Sequence, residues 1–223
     1  MSVFRNLVEL LLPANCLYCE LAPKPICDNC ASRFDGRVRE VSRGGLSGLA
    51  LFEFTEDASA AISAFKEHGQ FAIANQLVDR LVTPAVLARL KEFGADVFVA
   101  MPSAAKSFAK RGFSPAEVVA LALARHARLP VQRGALRLTR TTQDQAALGI
   151  AGRAENLVGA MTADPLLPKA TWANRRVLIV DDIVTTGASV IEAARATEQA
   201  GAEVVGFFSL AETILRNAAQ SSK

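Results

Sequence analysis

The 223-residue chain is 51% hydrophobic and 21% charged, with 14 Gly and 9 Pro, a makeup that excludes disorder and fibre and suits one ordinary domain with a small appendage. No stretch reaches the roughly 18 apolar residues of a membrane span. Net charge is only +3, yet residues 51–100 carry four Lys/Arg against seven Asp/Glu whereas residues 101–150 carry eight against two; that local excess suits either a basic rim for a phosphate-bearing ligand or nucleic acid, or a solvated helix face.

At the N-terminus Leu7 to Leu12 is apolar, but it holds Glu9, only Arg5 precedes it, and Pro13-Ala14-Asn15 does not resemble a small-residue cleavage site. A cytoplasmic, reducing location is therefore expected. All four cysteines follow in one window, Cys16-Leu17-Tyr18-Cys19 and, seven residues on, Cys27-Asp28-Asn29-Cys30. Each C-x2-C turn places two thiolates on one side of a tight loop, and two such loops facing each other form the tetrahedral sulfur cage that zinc prefers. Zinc leads; disulfides, free thiols or an iron–sulfur cluster are the alternatives. With four protein ligands no coordination position stays open, so such a metal is structural. Residues 31–48, with Arg33, Arg37, Arg39, Arg43 and Gly44-Gly45, read as a linker. The expected division is a cysteine module with linker over 1–48 and a main domain over 49–223.

In the main domain, Leu49 to Thr55 is a strand candidate and Ser59 to Lys66 a helix ending near Gly69. After another helical run, Thr83-Pro84 predicts an N-cap with proline at the first helical position, and Gly94 a stop. Ala95 to Met101 is an apolar strand cut by Pro102. Ser114-Pro115-Ala116-Glu117 has the form of a capping box ahead of Val118 to Ala124. Val177 to Val180 is an uninterrupted apolar run, as buried parallel strands are. A helix from about Ser189 to Ala200 closes at Gly201, and Glu203 to Ser209 is one more strand. Strands alternating with helices predict a mostly parallel, doubly wound α/β sheet.

Ligands of such sheets sit beyond the carboxyl ends of the strands. After the strongest strand comes Asp181-Asp182-Ile183-Val184-Thr185-Thr186-Gly187-Ala188-Ser189. Hydroxyls, turn N–H groups and a helix N-terminus make a cradle for one phosphate. No G-x4-G-K-[ST] occurs, which excludes a nucleotide-triphosphatase loop. Carboxylates beside an anion cradle must face something neutral or cationic, such as vicinal hydroxyls of a ribose or a bound magnesium.

Val177 to Ser189, VLIVDDIVTTGAS, resembles the phosphoribosyl-pyrophosphate signature of the type I phosphoribosyltransferases, with Ala188 where many members have a second Gly. The resemblance narrows to the competence protein F (ComF) family, which joins a four-cysteine zinc module to a phosphoribosyltransferase-like parallel sheet flanked by helices. Phe65-Lys66-Glu67-His68-Gly69 is similar to that family's lysine-containing segment. Met101-Pro102, Lys106, Lys110 and Arg111-Gly112-Phe113 resemble its strand end and basic R-G-[FY] element. Thr142, Gln145, Leu148, Arg153, Asn156 and Leu157 fall at the spacing of its mobile-loop pattern. Ser114-Pro115 stands where members commonly have Asn-Gln, and Ser103-Ala104-Ala105 where they have a more basic run.

The resemblance implies phosphoribosyl pyrophosphate as ligand, with Mg2+, and transfer of the phosphoribosyl group to an acceptor that no residue nominates. Asp181 and Asp182 would hold the ribose hydroxyls directly or through magnesium, and Thr185, Thr186, Gly187, Ala188 and Ser189 the 5-phosphate. Met101, Pro102, Ser103 and Lys106 would receive the pyrophosphate, with Lys66, Arg111 and Arg153 neutralising it. Thr139 to Gly152 would form a lid that excludes water. His126, in a helical run of Ala, Leu and Arg, reads as packing or surface and not as a catalytic base. The family's association with natural transformation implies another role, handling single-stranded DNA with the DNA-uptake machinery; the basic segments and zinc module suit it, the low aromatic content (6%) does not. Oligomer formation is open.

Overall fold

The computed structural model describes residues 15–21, 23–34, 36–139 and 158–214. After a 3-10 turn over Cys30–Arg33, the chain forms a hairpin of β1 (Arg39–Arg43) and β2 (Leu46–Glu53). Gly44-Gly45 turns it, both residues at positive φ (56° and 86°), as the tight turn between right-twisted strands requires. Three helices follow: α1 (Glu56–His68), α2 (Phe71–Leu81) and α3 (Pro84–Glu92). The Thr55 hydroxyl accepts the Ala58 N–H at 3.2 Å to start α1, and Gly69, at φ 69°, ends it. Thr83 caps α3 by accepting the Val86 N–H at 3.4 Å, with Pro84 at the first helical position as expected.

Next come β3 (Val97–Ala100), α4 (Ala105–Arg111), α5 (Pro115–Ala127) and β4 (Val131–Gln132), then β5 (Leu136–Leu138) and β6 (Met161–Ala163). The chain continues through β7 (Arg176–Val184), α6 (Ala188–Gln199) and β8 (Glu203–Glu212). The main sheet runs β1-β2-β8-β7-β3-β4; only the β1–β2 pairing is antiparallel. β5 and β6 pair as a separate antiparallel ribbon. The expected α/β class with a mostly parallel sheet is what the chain forms. No helix among the described residues is long and apolar enough to cross a membrane.

Alternation along β7 sends Leu178 and Val180 to one face, where they join Ile62, Phe65, Ile73 and Val119 of α1, α2 and α5. Val177 and Ile179 go to the other, beneath Val190 and Ala193 of α6, with Met161 and Trp172. The cysteine module shares the first of these cores: Cys16, Ile26, Cys30, Ala31 and Phe34 cluster with Leu51, Phe52 and Phe65. Polar clamps hold it there. The Tyr18 hydroxyl donates to the Asp57 carbonyl at 2.6 Å, Arg33 bonds the Asp57 carboxylate at 2.6 Å, and the Gln76 amide exchanges two hydrogen bonds with the Ile26 backbone.

Two readings need correction. Residues 31–48 are not a linker, since they hold most of the 3-10 turn, all of β1 and the start of β2; Gly44-Gly45 was the signal, masked by the charged residues before it. Ser114 begins α5 but makes no capping bond. Its hydroxyl donates to the Met101 carbonyl at 3.5 Å and meets Ser103 at 3.2 Å, while Glu117 pairs with Arg133, so tertiary partners replace the reciprocal box.

On the α6 side, Glu192 is 4% exposed, accepts the Met161 N–H at 2.9 Å and pairs with Arg195 at 2.6 Å, while Arg195 donates to the Met161 carbonyl at 2.8 Å. Burial opposes its ionisation, but Arg195 and the Met161 and Gly159 N–H groups outweigh it and hold the carboxyl below its usual range. A depressed carboxylate contributes stability above its unfolded pKa that is lost as pH falls through the folded one. Glu192→Ala should therefore cost about 2 kcal/mol at neutral pH. The deficit should shrink in acid, and a denaturant midpoint unmoved at pH 7 would refute it.

Candidate functional site

β7 continues beyond Val180, so Asp181 and Asp182 lie within the strand and not past its tip. Its neighbour β3 stops at Ala100, and the last bond between them is Met101 N–H to the Val180 carbonyl at 2.9 Å. Pro102 has no N–H with which to extend the ladder. From Asp181 onward β7 is therefore paired on its β8 side, where Asp181 lies opposite Ser209, and open on the other. This is the crevice at a sheet's carboxyl end where ligands collect.

The two carboxylates differ. Asp182 points to the face of Leu178 and Val180, where Lys66 from α1 meets its Oδ2 at 2.8 Å and the Ile183 N–H donates to its Oδ1 at 2.8 Å. Both of its oxygens are engaged. Asp181 points to the opposite face, accepting the Asp182 N–H on Oδ1 at 2.8 Å. Its side chain also lies within hydrogen-bonding range of the Asp182 side chain. Burial and the neighbouring Asp182 charge push the Asp181 carboxyl well above the usual range, only partly countered by the Asp182 N–H and Lys66. The Ser209 hydroxyl at the paired position on β8 is fully buried and has no hydrogen-bond partner among the described residues. A carboxylate held against its own desolvation and beside a second carboxylate favours a cation or hydroxyl donors.

Thr185, Thr186 and Gly187 form the turn into α6, with Gly187 as N-cap at φ 84° and the Thr186 hydroxyl accepting the Ala188 N–H at 3.4 Å. Ser189 follows in the first turn, whose N–H groups lack helical acceptors. Thr185 is exposed, Gly187 buried and the others intermediate. Across the crevice the pyrophosphate set is partly drawn together. Met101 is buried, Ser103 is half-buried on Ser114, and Lys106 is exposed on α4 without an ion pair among the described residues. Arg111 lies 3.6 Å from Glu67, which also takes Lys110 at 3.1 Å. Arg153 and most of the expected lid lie outside the described residues.

The positive excess of residues 101–150 is largely matched by acids: besides Lys110 and Arg111, Arg125 pairs with Asp79, Arg133 with Glu117 and Arg137 with Asp164. His126 sits 2.7 Å from Asp79 on the helical surface, remote in the fold from β7's open end, as its reading as packing or surface required. Two groups went unnoticed in the sequence. Ser209 carries no motif. Arg43 was assigned to a linker, yet it donates to the Thr185 carbonyl at 2.7 Å.

At the N-terminal module, the four sulfurs lie within 4.8 Å of one another, with Cys19 and Cys27 3.7 Å apart. A tetrahedron with Zn–S bonds of about 2.3 Å has edges of about 3.8 Å, so the residues fit a four-sulfur metal site. Cys27 and Cys30 N–H groups donate to the sulfurs of Cys16 and Cys27 at 3.3 and 3.5 Å. Against the burial that opposes ionisation, backbone N–H groups of Cys27, Tyr18 and Cys19 bring Cys16 down to about 6, while burial and the neighbouring sulfurs push Cys30 up to about 12.

A mostly parallel sheet whose central strand carries an acidic pair shortly before a small-residue turn into a helix defines a phosphoribosyltransferase-like α/β domain. The family model described as phosphoribosyl transferase domain matches residues 68–221, and the chain belongs to that family. It is similar to competence protein ComFC of Streptococcus pneumoniae, 28% identical over 94% of this chain and 84% of that one. It is likewise similar to competence protein F of Haemophilus influenzae, 24% identical over 84% of each. With the four-cysteine cluster, these bear out the ComF resemblance read from the motifs. Solved structures include adenine phosphoribosyltransferase from Saccharomyces cerevisiae (16% identity, TM-score 0.37, 82% of this chain and 87% of that). Another is the Trypanosoma brucei adenine enzyme (11%, TM-score 0.40, 84% and 95%).

Proposed function

We propose that the protein binds phosphoribosyl pyrophosphate with magnesium and transfers the phosphoribosyl group to an acceptor. The observation that carries this reading is the Asp181 carboxyl at the open end of β7, four residues before a phosphate-sized turn and a helix N-terminus. The turn N–H groups and the hydroxyls of Thr185, Thr186 and Ser189 hold the 5-phosphate, its charge favoured by the helix dipole. Asp181 meets the ribose hydroxyls or the ion beside them. Asp182, held by Lys66, shapes that wall. Met101 to Ser103 borders the leaving group, and Lys106 is the nearby cation facing solvent.

Magnesium, when bound, neutralises pyrophosphate charge. The anomeric C–O bond breaks with its electron pair going to pyrophosphate, and the acceptor's nucleophilic atom forms the new bond. The chain's part is positioning and charge stabilisation. Calorimetric titration with phosphoribosyl pyrophosphate and magnesium should give saturable one-site binding; no heat at millimolar ligand would overturn the reading.

A second reading, handling of single-stranded DNA, draws on the competence names of the relatives and on Phe71 and Phe108, 42% and 48% exposed, with Lys106 and Lys110 on the same helix as Phe108. Stacking rings beside cations suit sequence-tolerant binding of a single strand. Salt-dependent, base-independent binding that survives Asp181→Asn would favour it; binding confined to the sugar phosphate would favour the transferase.

A further inference from the structure

We propose that Arg43, on the hairpin strand β1, is the positioning residue of the 185–187 turn, holding it in the shape that receives a phosphate. The inference rests on the sugar-phosphate reading above, and adds that the N-terminal hairpin is part of the site. The residue's guanidinium joins the turn to the end of β8. Nε donates to the Thr185 carbonyl at 2.7 Å, Nη2 to the Thr213 carbonyl at 3.0 Å and to Glu212 at 3.1 Å, and Nη1 to its own strand at Ser42, 3.0 Å. Its side chain is 10% exposed and that of Glu212 11%.

The fit is mutual. A Cβ on Gly187 would fall 2.3 Å from the Arg43 Cβ and 2.8 Å from its Cγ, and Gly187 is at φ 84°. Glycine is thus required twice, for the backbone angle and for the space the arginine stem fills. Because Glu212 balances its charge inside the protein, Arg43 acts through the turn and is not the phosphate's counter-ion. A planar fork reaching three carbonyls and a carboxylate is a geometry lysine cannot reproduce. Arg43 precedes residue 68, where the family match begins, so the brace comes from the N-terminal part of the chain and reaches the site because β2 pairs with β8.

The test uses the full chain with Arg43→Met, which keeps the stem against Gly187 but removes the guanidinium, and Arg43→Lys, which keeps the charge beside Glu212. Arg89→Met, removing the ion pairs from α3 to Glu40 and Glu92, controls for general weakening near the hairpin. Both Arg43 variants should speed amide exchange across 185–191 and weaken phosphoribosyl pyrophosphate binding by about tenfold or more, while Arg89→Met does neither. Unchanged exchange in both Arg43 variants, or an equal affinity loss in Arg89→Met at matched melting temperature, would overturn the brace. Should wild type bind no phosphoribosyl pyrophosphate, the transferase reading fails, and the exchange comparison decides on Arg43.

Discussion

Asp181→Asn should abolish binding of phosphoribosyl pyrophosphate with magnesium while raising the melting temperature at neutral pH. The first effect follows from its place at the open end of β7. The second follows from sign. Burial, then the charge of Asp182, raises its folded pKa above the unfolded value, so the folded state holds the proton more tightly. Stability is then greatest below the unfolded pKa and is lost as pH rises toward the folded one. An amide cannot ionise, so the variant avoids that loss; its advantage should vanish in acid, where both forms are neutral. Asp182→Asn should behave oppositely in stability, leaving the Lys66 ammonium without the carboxylate 2.8 Å away and costing about 1 kcal/mol. Paired titrations and melting curves from pH 4 to 8 read both. Retained affinity in Asp181→Asn would sink the assignment of the site, and a lowered neutral melting point would sink the account of its carboxyl.

Stripping metal from the four-cysteine cluster, or Cys30→Ser, should lower the melting temperature by roughly 10 °C, about 3 kcal/mol for a chain of this size. The proposal is that the cluster holds zinc as a structural ion. Its loss should spread because Cys16 and Cys30 share a core with Phe34, Phe52 and Phe65. The Tyr18 and Arg33 bonds to Asp57 anchor the module to the first turn of α1, whose last turn carries Lys66. Ligand affinity at a temperature where the stripped protein stays folded should change little, since the hydrogen bonds of the cysteines stay within the module. Metal analysis finding about one zinc per chain, with re-addition restoring the melting point, supports the reading; a melting point indifferent to stripping would end it.

Local chemistry was legible in the amino-acid sequence. The β-branched run before Asp181-Asp182, the Thr83-Pro84 start of α3, the Gly69 stop and the paired C-x2-C turns each depend on residues within a few positions, where periodicity, capping and ligand spacing act. The parallel class followed from their alternation. Edge strand β1 was missed because Arg39, Glu40 and Arg43 hide a two-glycine turn, and the Ser114 box failed because that hydroxyl meets Met101 and Ser103 once β3 and α5 pack together. Which carboxylate is engaged, and by what, could not be read locally. Asp181 and Asp182 are identical neighbours until the strand's alternation sends one toward α1 and Lys66 and the other to the opposite face. Arg43 meets Thr185 only because β2 pairs with β8, closing 142 residues of chain. Hydrogen-bonded partners so far apart are chosen by sheet order and register, which no local pattern encodes. The acidic pair, the small-residue turn and the cysteine pairs were thus set by local sequence, and packing settled which residues meet them, Arg43 and Ser209 included, because pairing depends on distances that exist only once the strands are aligned.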